Sequence, residues 1–240
     1  MSVFYGELAS WWPILSPLEE YEEEATTFAA ALGARRPAAR DLLELGCGGG
    51  HVAWYLRRAF DVTLTDLSPE MLRVAAALNA GCDVAVGDMR TLDLGRTFDL
   101  VFVHDAVDYL RTEADLAATA RTARRHLRPG GLALFVPDHV AERYAPDTGT
   151  GGSDGTDGRA ARFLEWSERG ADGNSCVTHY SFVLREPSGE VTTRYERHEL
   201  GLFPTATWVR ALEQAGLRVE VVEETTTEDH APRLLFFGHA

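Results

Sequence analysis

The chain has 240 residues and contains no lysine, so all 23 of its basic side chains are arginine. An enzyme that forms a Schiff base with its substrate or with pyridoxal phosphate needs a lysine amine, and the absence of lysine therefore excludes that chemistry. The nucleotide-binding P-loop is excluded as well, because its lysine has to reach the phosphates.

Positive charge is scarce overall, since the formal net charge is −14 at pH 7. Proteins that bind nucleic acids carry basic stripes that displace counterions from the phosphates. The nearest candidates here are the short pairs Arg35-Arg36 and Arg124-Arg125, each diluted by alanine. The composition therefore predicts no nucleic-acid partner.

Cysteines and long apolar runs are also few. The three cysteines lie far apart and form no CxxC pair, which predicts neither a disulfide framework nor a structural zinc site. No stretch reaches the roughly 18 apolar residues of a membrane helix, and the first residues lack the pattern of a signal peptide. We therefore expect a cytoplasmic protein without a membrane partner.

Short apolar runs alternate with helical patterns through the first part of the chain. The runs are Asp41–Leu45, Val62–Thr65, Val84–Val86, Phe98–Val103 and Leu132–Val136. Strands that alternate with helices form parallel βαβ units. The sequence therefore predicts an α/β fold: a Rossmann-like, doubly wound and mostly parallel seven-stranded sheet, with an N-terminal helical lid and an antiparallel β insert.

We predict a single domain with four parts. These are a helical lid over residues 1–39, a cofactor-binding core over 40–137, an antiparallel substrate cap over 138–200, and the last helix and strands of the core over 201–240. The cap is predicted from three strand-like stretches, Arg162–Glu168, Val177–Arg185 and Glu190–Leu200. The segment Thr148–Gly158 is rich in Gly, Asp, Ser and Thr and predicts a mobile loop.

A glycine-rich turn follows the first predicted strand. It reads Glu44-Leu45-Gly46-Cys47-Gly48-Gly49-Gly50. Glycines are needed where the backbone turns with positive φ and where a ligand approaches the main chain. The dinucleotide fingerprint GxGxxG would require a third glycine where His51 stands, so the pattern favours a nucleoside-type cofactor over a dinucleotide.

Acidic residues follow the next two predicted strands. Asp66 ends the second strand about 20 residues after the first glycine, where a carboxylate accepts hydrogen bonds from ribose hydroxyls. Gly87-Asp88-Met89 follows the third strand, where a carboxylate could accept from an adenine amino group while the methionine packs on the ring. Ligands of such sheets bind outside the carboxyl ends of the strands, so these residues are expected to converge.

With the later segments Phe98–Tyr109 and Leu127-Arg128-Pro129-Gly130-Gly131, these motifs resemble the class I S-adenosylmethionine-dependent methyltransferases over roughly residues 40–137. The antiparallel insert is similar to bacterial small-molecule members, among them sugar N,N-dimethyltransferases. The resemblance implies S-adenosylmethionine as the cofactor. It assigns the cofactor site to Tyr5, Glu44, Gly46, Cys47, Gly48, Asp66, Leu67, Asp88, Met89, His104 and Asp105.

The chemistry expected from the resemblance is an in-line displacement at a methyl carbon, for which positioning of the acceptor is the main requirement. An amine is the predicted acceptor. A hydroxyl acceptor remains the alternative and would need a general base. Candidate catalytic residues are His104 and His139, which follow predicted strands, and Tyr21 in the lid. Four further residues of the predicted cap could roof the substrate: His179, Tyr180, Tyr195 and His198.

The same residues leave other functions open. His104, Asp105, Asp138 and His139 could form a metal site if they converged, but no known ligand spacing is present and we predict none. A nicotinamide oxidoreductase and a non-catalytic cofactor-binding protein are the other classes. Acidic patches would repel an anionic nucleotide-sugar unless local arginines offset them, for instance Arg159, Arg162 or Arg194. A small molecule is the expected partner, and a homodimer is one option for the oligomeric state.

Overall fold

The computed structural model describes residues 3–227 and 231–240. In chain order its strands are β1 (Asp41–Leu45), β2 (Asp61–Asp66), β3 (Asp83–Val86), β4 (Phe98–His104), β5 (Leu127–Val136), β6 (Asp147–Gly151), β7 (Ala160–Arg169), β8 (Ser175–Arg185), β9 (Val191–Gly201), β10 (Arg218–Glu223) and β11 (Leu234–His239). Its α-helices are α1 (Trp12–Leu15), α2 (Glu22–Arg35), α3 (His51–Leu56), α4 (Pro69–Leu78), α5 (Glu113–His126) and α6 (Thr205–Gln214). Short 3-10 helices lie at Ala9–Trp11, Leu18–Tyr21 and Ala106–Tyr109.

The seven-stranded sheet has the order β3-β2-β1-β4-β5-β11-β10. Its first five strands run parallel, and β11 pairs antiparallel with both β5 and β10. The predicted Rossmann-like sheet is confirmed. The strand order reverses between β1 and β4, so the crevice for a ligand lies at their carboxyl ends.

Helices cover both faces of this sheet because its strands alternate apolar residues to both sides. In β4, Leu100 and Phe102 pack with α2 and α3, whereas Val101 and Val103 pack with α5 and α6. Each such fully buried side chain contributes about 1.5–3 kcal/mol. In the described part of the chain, no helix is long and apolar enough to span a membrane.

Local signals set where two helices begin. The Ser68 hydroxyl accepts from the Met71 N–H at the start of α4, and Thr112 does the same for the Asp115 N–H at the start of α5, both at 3.1 Å. Such N-caps satisfy backbone donors that have no partner within the helix. Ser68 lies in the short turn between β2 and α4. The cap therefore also fixes the conformation of this turn, which borders the ligand crevice.

The second sheet is antiparallel, with the order β6-β7-β8-β9, and confirms the predicted insert. Its inner face packs on the N-terminal segment: Trp11 and Ile14 share one apolar cluster with Phe182 and Leu184 of β8. The lid and the insert therefore meet each other above the central sheet.

Two local predictions were wrong. The segment Thr148–Gly158 was expected to be a mobile loop, but its first residues belong to β6, which pairs with β7. A Cβ placed on Gly149 would lie 2.4 Å from Glu165 Oε1, so glycine there permits a close approach of the strands. The fifth strand was predicted over Leu132–Val136, but β5 begins at Leu127, with a register shift against β4.

Candidate active site

The glycine-rich turn is held against the end of β2. The Gly46 and Cys47 N–H groups both donate to the Thr65 carbonyl, at 2.8 and 2.9 Å. Gly46 has a φ of +78°, and a Cβ there would lie 2.4 Å from the Ala106 Cβ. Glycine is thus required at this position both by the backbone conformation and by the lack of space.

Asp66 organises the same turn from the end of β2. One carboxylate oxygen accepts from the Gly48 N–H and the other from the Ser68 N–H, both at 2.8 Å. Burial raises the pKa of Asp66, and these backbone hydrogen bonds oppose that rise. The next residue, Leu67, is 66% exposed. A carboxylate beside an open apolar surface fits a ribose and its attached base.

The turn after β3 differs from its sequence-based interpretation in one respect. Asp88 is bound by its neighbour Arg90, with Arg90 Nη2 at 2.6 Å from Asp88 Oδ2, and this hydrogen bonding lowers the pKa of Asp88. Met89 packs towards the glycine turn, since a Cβ on Gly46 would lie 3.1 Å from its Cε. A contact from Asp88 to an adenine amino group would therefore be shared with Arg90.

Glu44 is a buried carboxyl group next to the glycine turn. It is 3% exposed, and its Oε2 atom has no hydrogen-bond partner among the described residues. Burial, followed by the carboxylates of Asp66 and Asp105, raises the pKa of Glu44 from its ordinary 4.5 to about 8. An unpartnered carboxyl oxygen in such a place fits a cationic group, such as the ammonium of the cofactor's methionine part.

The raised pKa of Glu44 should make the ligand-free protein less stable as the pH rises. The folded state keeps the Glu44 proton between pH 4.5 and about 8 while the unfolded chain loses it, so the free energy of unfolding falls by up to about 1.4 kcal/mol per pH unit in this window. Glu44→Gln stays neutral and should be more stable than the natural chain at pH 8. Denaturant titrations of both proteins at pH 5 and pH 8 measure this, and an equal stability difference at the two pH values would refute it.

His104 lies in a buried ionic cluster that we call the Arg233 cluster, formed by Glu24, His104, Glu224 and Arg233. The guanidinium donates to both Glu224 oxygens at 2.9 and 3.0 Å and to Glu24 Oε2 at 2.9 Å. Its Nη1 lies 3.0 Å from His104 Nε2. Burial lowers the pKa of His104. Its Nε2 atom lies between the Arg233 guanidinium and the Asp105 carboxylate, so this nitrogen is enclosed by charged groups of the protein.

Carboxylates surround the carboxyl ends of β4 and β5. Asp105 has a φ of +43°, rare for a residue with a side chain, and its Oδ1 lies 2.7 Å from His104 Nε2. Asp138 follows β5, and its N–H donates to Asp108 at 2.9 Å. We call Asp105, Asp108 and Asp138 the acidic rim.

The lid places its aromatic residues over the glycine turn. The Trp12 indole donates to His51 Nδ1 at 3.1 Å, and a Cβ on Gly49 would lie 2.3 Å from the Trp12 ring. Tyr21 packs edge-on against His51, and its hydroxyl is hydrogen-bonded to Ser16 at 2.6 Å within the lid. The lid therefore covers the turn through direct packing.

The other candidate residues are divided among different surfaces. His139 is exposed and lies edge-on against Tyr144 at 5.2 Å between ring centroids. In the antiparallel sheet, alternation of side chains separates the four predicted roof residues. His198 and Tyr180 lie on the inner face, with ring centroids 5.1 Å apart, while His179 and Tyr195 hydrogen-bond to each other on the outer face at 2.6 Å.

Several residues of this region were not predicted from the sequence. Arg233 and Glu24 are separated from His104 by 129 and 80 positions along the chain, and nothing in their local sequence marks them. Tyr109 and Glu196 were not singled out either, although both contact the lid or the inner face of the insert. Among these four residues, only Glu24 carries a signal in the sequence, because it is a charged residue on the face of helix α2 that packs against the sheet.

The residues at this edge fit S-adenosylmethionine. The glycine turn offers close approach to backbone, Asp66 and Leu67 suit a nucleoside, and Glu44 suits an ammonium group. The chain matches the family model described as a methyltransferase domain over residues 42–131. It is 31% identical over 207 residues, covering 85% of this chain and 86% of the relative, to the dTDP-3-amino-3,4,6-trideoxy-alpha-D-glucopyranose N,N-dimethyltransferase of Streptomyces venezuelae.

Two solved structures agree in fold over most of the chain. The crystal structure of Streptomyces venezuelae DesVI has a TM-score of 0.80 at 30% identity, covering 91% of both chains. An amino pentose methyltransferase from Micromonospora echinaspora, solved with S-adenosylmethionine bound, has a TM-score of 0.77 at 28% identity, again over 91% of both chains. These matches confirm the methyltransferase prediction and its cofactor against the oxidoreductase and non-catalytic alternatives. The chain belongs to the class I S-adenosylmethionine-dependent methyltransferases.

Proposed function

We propose that the enzyme methylates the amine of a deoxyamino sugar carried on a nucleoside diphosphate. Three relatives carry names that specify N,N-dimethylation of dTDP-linked amino sugars, with the amine at carbon 3 or carbon 4. They are 28–31% identical to this chain and cover at least 84% of it. The similarity supports the substrate class, and the residues of the cleft support a cationic acceptor.

The acidic rim is the observation that carries this proposal. Asp105 and Asp138 side chains are each 46% exposed at the carboxyl ends of β4 and β5, beside the turn that is assigned to the cofactor. The guanidinium of Arg233 offsets only part of their charge, at 3.7 and 3.6 Å. A cleft with surplus negative charge attracts an ammonium and raises its local concentration.

The protein's part in the reaction is mainly to position and shield the acceptor. When bound, S-adenosylmethionine supplies a methyl carbon that is already activated by its sulfonium. The acidic rim would draw the amine to the ends of β4 and β5, and the lid would exclude water. Holding the acceptor in reacting geometry accounts for much of the acceleration in such displacements.

A diphosphate needs a cation outside the acidic rim, and Arg169 is our candidate. The arginines singled out in the sequence are paired with carboxylates: Arg159 with Asp157, Arg162 with Asp154, and Arg194 with Glu7. Arg169 instead donates to the carbonyls of Ala141 and Gly173 and lies over the Tyr144 ring at 5.3 Å. Its position beside the loop after β5 suits the charged end of a nucleotide-sugar.

The proposal is tested by incubating the enzyme and S-adenosylmethionine with the three dTDP-amino sugars named by the relatives. Parallel reactions contain the corresponding hydroxy sugars and the free amino sugars. We expect one or two methyl groups to be added to the amine of at least one dTDP-amino sugar, detected by mass spectrometry. Arg169→Ala should raise the KM for the dTDP-linked substrate about tenfold, the loss of one charge-assisted hydrogen bond, and leave the free sugar unaffected.

The reactions with the other sugars show which results would contradict the proposal. Methylation of the hydroxy sugars alone would support the O-methyltransferase alternative. In that case His139 becomes the more accessible of the two candidate bases, because His104 Nε2 faces Arg233 at 3.0 Å. Failure of every one of these substrates with an enzyme that binds S-adenosylhomocysteine would overturn the sugar proposal while leaving the family assignment intact.

A further inference from the structure

A continuous chain of hydrogen-bonding side chains runs from the cleft into the antiparallel sheet. Tyr5 Oη lies 2.8 Å from Tyr109 Oη, and Tyr109 Oη lies 2.6 Å from His198 Nδ1. On the far side, His198 Nε2 is 3.4 Å from a carboxylate oxygen of Glu196. Tyr109 is 39% exposed and His198 is 5% exposed, so the chain begins at an open surface and ends in the interior.

The protonation states of these side chains determine the direction in which a proton can pass along the hydrogen bonds. Burial lowers the pKa of His198, which keeps the ring neutral with a single N–H. We place that N–H on Nε2, which lies 3.4 Å from the Glu196 carboxylate without a hydrogen bond to any described residue. Nδ1 then has a lone pair and accepts from the Tyr109 hydroxyl, whose oxygen accepts from the Tyr5 hydroxyl and keeps a second lone pair for a proton from the cleft.

The series of hydrogen bonds from Tyr5 to Glu196 is complete only when the lid is in place. The Val3 and Phe4 N–H groups donate to the two Glu196 oxygens at 2.9 and 2.7 Å. The next residue, Tyr5, contributes the hydroxyl that meets Tyr109, and its carbonyl accepts from Ser68 Oγ at 2.6 Å beside the glycine turn. The same short segment thus joins the cofactor edge to Glu196.

An amine acceptor requires a path for protons. A sugar amine is an ammonium at neutral pH and must lose a proton before its lone pair can attack. Two successive methylations require this twice. His104 is poorly placed to serve, because its Nε2 is enclosed between Arg233 Nη1 at 3.0 Å and Asp105 Oδ1 at 2.7 Å. The Tyr109 hydroxyl is linked to the acidic rim through Tyr5: the two hydroxyls lie 2.8 Å apart, and the carboxylates of Asp105 and Asp138 contribute to the raised pKa of Tyr5, after burial.

We propose that Tyr109 and His198 form a proton relay that deprotonates the acceptor, an inference that rests on the amine substrate proposed above. The ammonium N–H bond breaks and its proton binds the Tyr109 oxygen. The Tyr109 O–H bond breaks in the same step, and that proton forms an N–H bond at His198 Nδ1. The amine becomes neutral, the imidazolium is stabilised by Glu196, and the proton returns to water by the reverse route after the product leaves.

Several ionisable groups face His198 and belong to the pH behaviour of the relay. Tyr109 approaches from the 3-10 helix, Tyr5 from the lid at 5.8 Å between ring centroids, and Tyr180 from β8 at 5.1 Å. Glu196 faces it from β9. Burial raises the pKa of Tyr5 and Tyr180, so both remain hydroxyls that can pass a proton while staying uncharged.

The test compares Tyr109→Phe and His198→Asn with the natural chain, using dTDP-3-amino-3,4,6-trideoxy-α-D-glucopyranose as the acceptor. At pH 7 we expect kcat to fall about 100-fold in both variants, the range of proton-transfer catalysis. At pH 9.5 most of the amine is neutral in solution, and the loss should shrink to within about threefold. The affinity for S-adenosylhomocysteine should stay unchanged at both pH values.

The outer face of the same sheet supplies matched controls. His179 and Tyr195 form an equivalent histidine–tyrosine hydrogen bond of 2.6 Å away from the cleft, so His179→Asn and Tyr195→Phe should keep full activity. An equal loss at pH 7 and pH 9.5 in the relay variants would indicate a structural role and overturn the proposal. A loss of activity in the control variants as large as that in the relay variants would overturn it too.

A spectroscopic measurement separates this inference from the identity of the substrate. In 15N-labelled protein with S-adenosylhomocysteine at pH 7, His198 should be neutral with its proton on Nε2, and Tyr109→Phe should shift the Nδ1 resonance. A proton on Nδ1, or a charged ring, would overturn the relay whatever the acceptor is. Lack of methylation by the natural chain alongside the expected tautomer would overturn the sugar substrate and retain the relay geometry.

Discussion

Replacing Arg233 with methionine should lower the free energy of unfolding by about 3–5 kcal/mol at pH 7, because it leaves buried carboxylates without their cation. Arg233 is 9% exposed, and the side chains of Glu224 and Glu24 are 1% and 10% exposed. Methionine has a similar length and is apolar, so the loss reports charge more than volume. Denaturant titration with a circular dichroism readout measures it.

The pH dependence of this loss should identify its cause. Burial already raises the pKa of Glu24, and removing the guanidinium raises that pKa further. A folded-state pKa above the unfolded value means that stability is present at low pH and is lost as the pH rises through that window. The deficit of Arg233→Met should therefore be smallest near pH 4 and grow towards pH 8.

A surface ion pair that involves Glu223, the residue before Glu224, gives the control. Arg143 lies 2.5 Å from Glu223, with side chains 43% and 57% exposed, and Arg143→Met should cost less than about 1 kcal/mol. Adding Glu224→Gln to Arg233→Met should recover part of the lost stability, since one uncompensated charge disappears. A deficit for Arg233→Met as small as that of Arg143→Met would show that the cluster contributes little.

Asp66→Ala should weaken the binding of S-adenosylhomocysteine about 100-fold or more. Two hydrogen bonds that ribose hydroxyls donate to this carboxylate would account for about 3 kcal/mol. The Gly48 and Ser68 N–H groups also lose their acceptor, each at 2.8 Å, so the glycine turn becomes less ordered. Calorimetric titration of the purified variant measures the affinity.

The first residue of the same strand provides a matched control for Asp66. Asp61 starts β2 at the opposite end of the sheet and is exposed, so Asp61→Ala should bind S-adenosylhomocysteine as the natural chain does. Asp66→Asn, which keeps one acceptor oxygen without the charge, should fall between the two. An unchanged dissociation constant for Asp66→Ala would remove this carboxylate from the cofactor site.

Much of the central sheet was determined by local sequence. Short apolar runs such as Leu42–Leu45, which is followed by a glycine-rich turn, favour buried strands. The hydroxyls of Ser68 and Thr112 cap helices from within their own segment. The glycine turn could also be predicted from the sequence, because glycine is the residue type that readily adopts the positive φ found at Gly46 and Gly48. These features depend on neighbours a few positions away, and such interactions form in the same way wherever the segment lies.

The side chains that complete the site were decided by tertiary structure alone. His104 had a place at the end of β4, but its partner Arg233 comes from the connection between β10 and β11, 129 positions later. The relay joins Tyr109 to His198 across 89 positions, and β6 formed from a glycine-rich segment because β7 offered it an open edge. Periodicity and residue type specify which face is buried, but a buried charge is paired with whatever the completed fold brings within about 3 Å, and that depends on the packing of every layer at once.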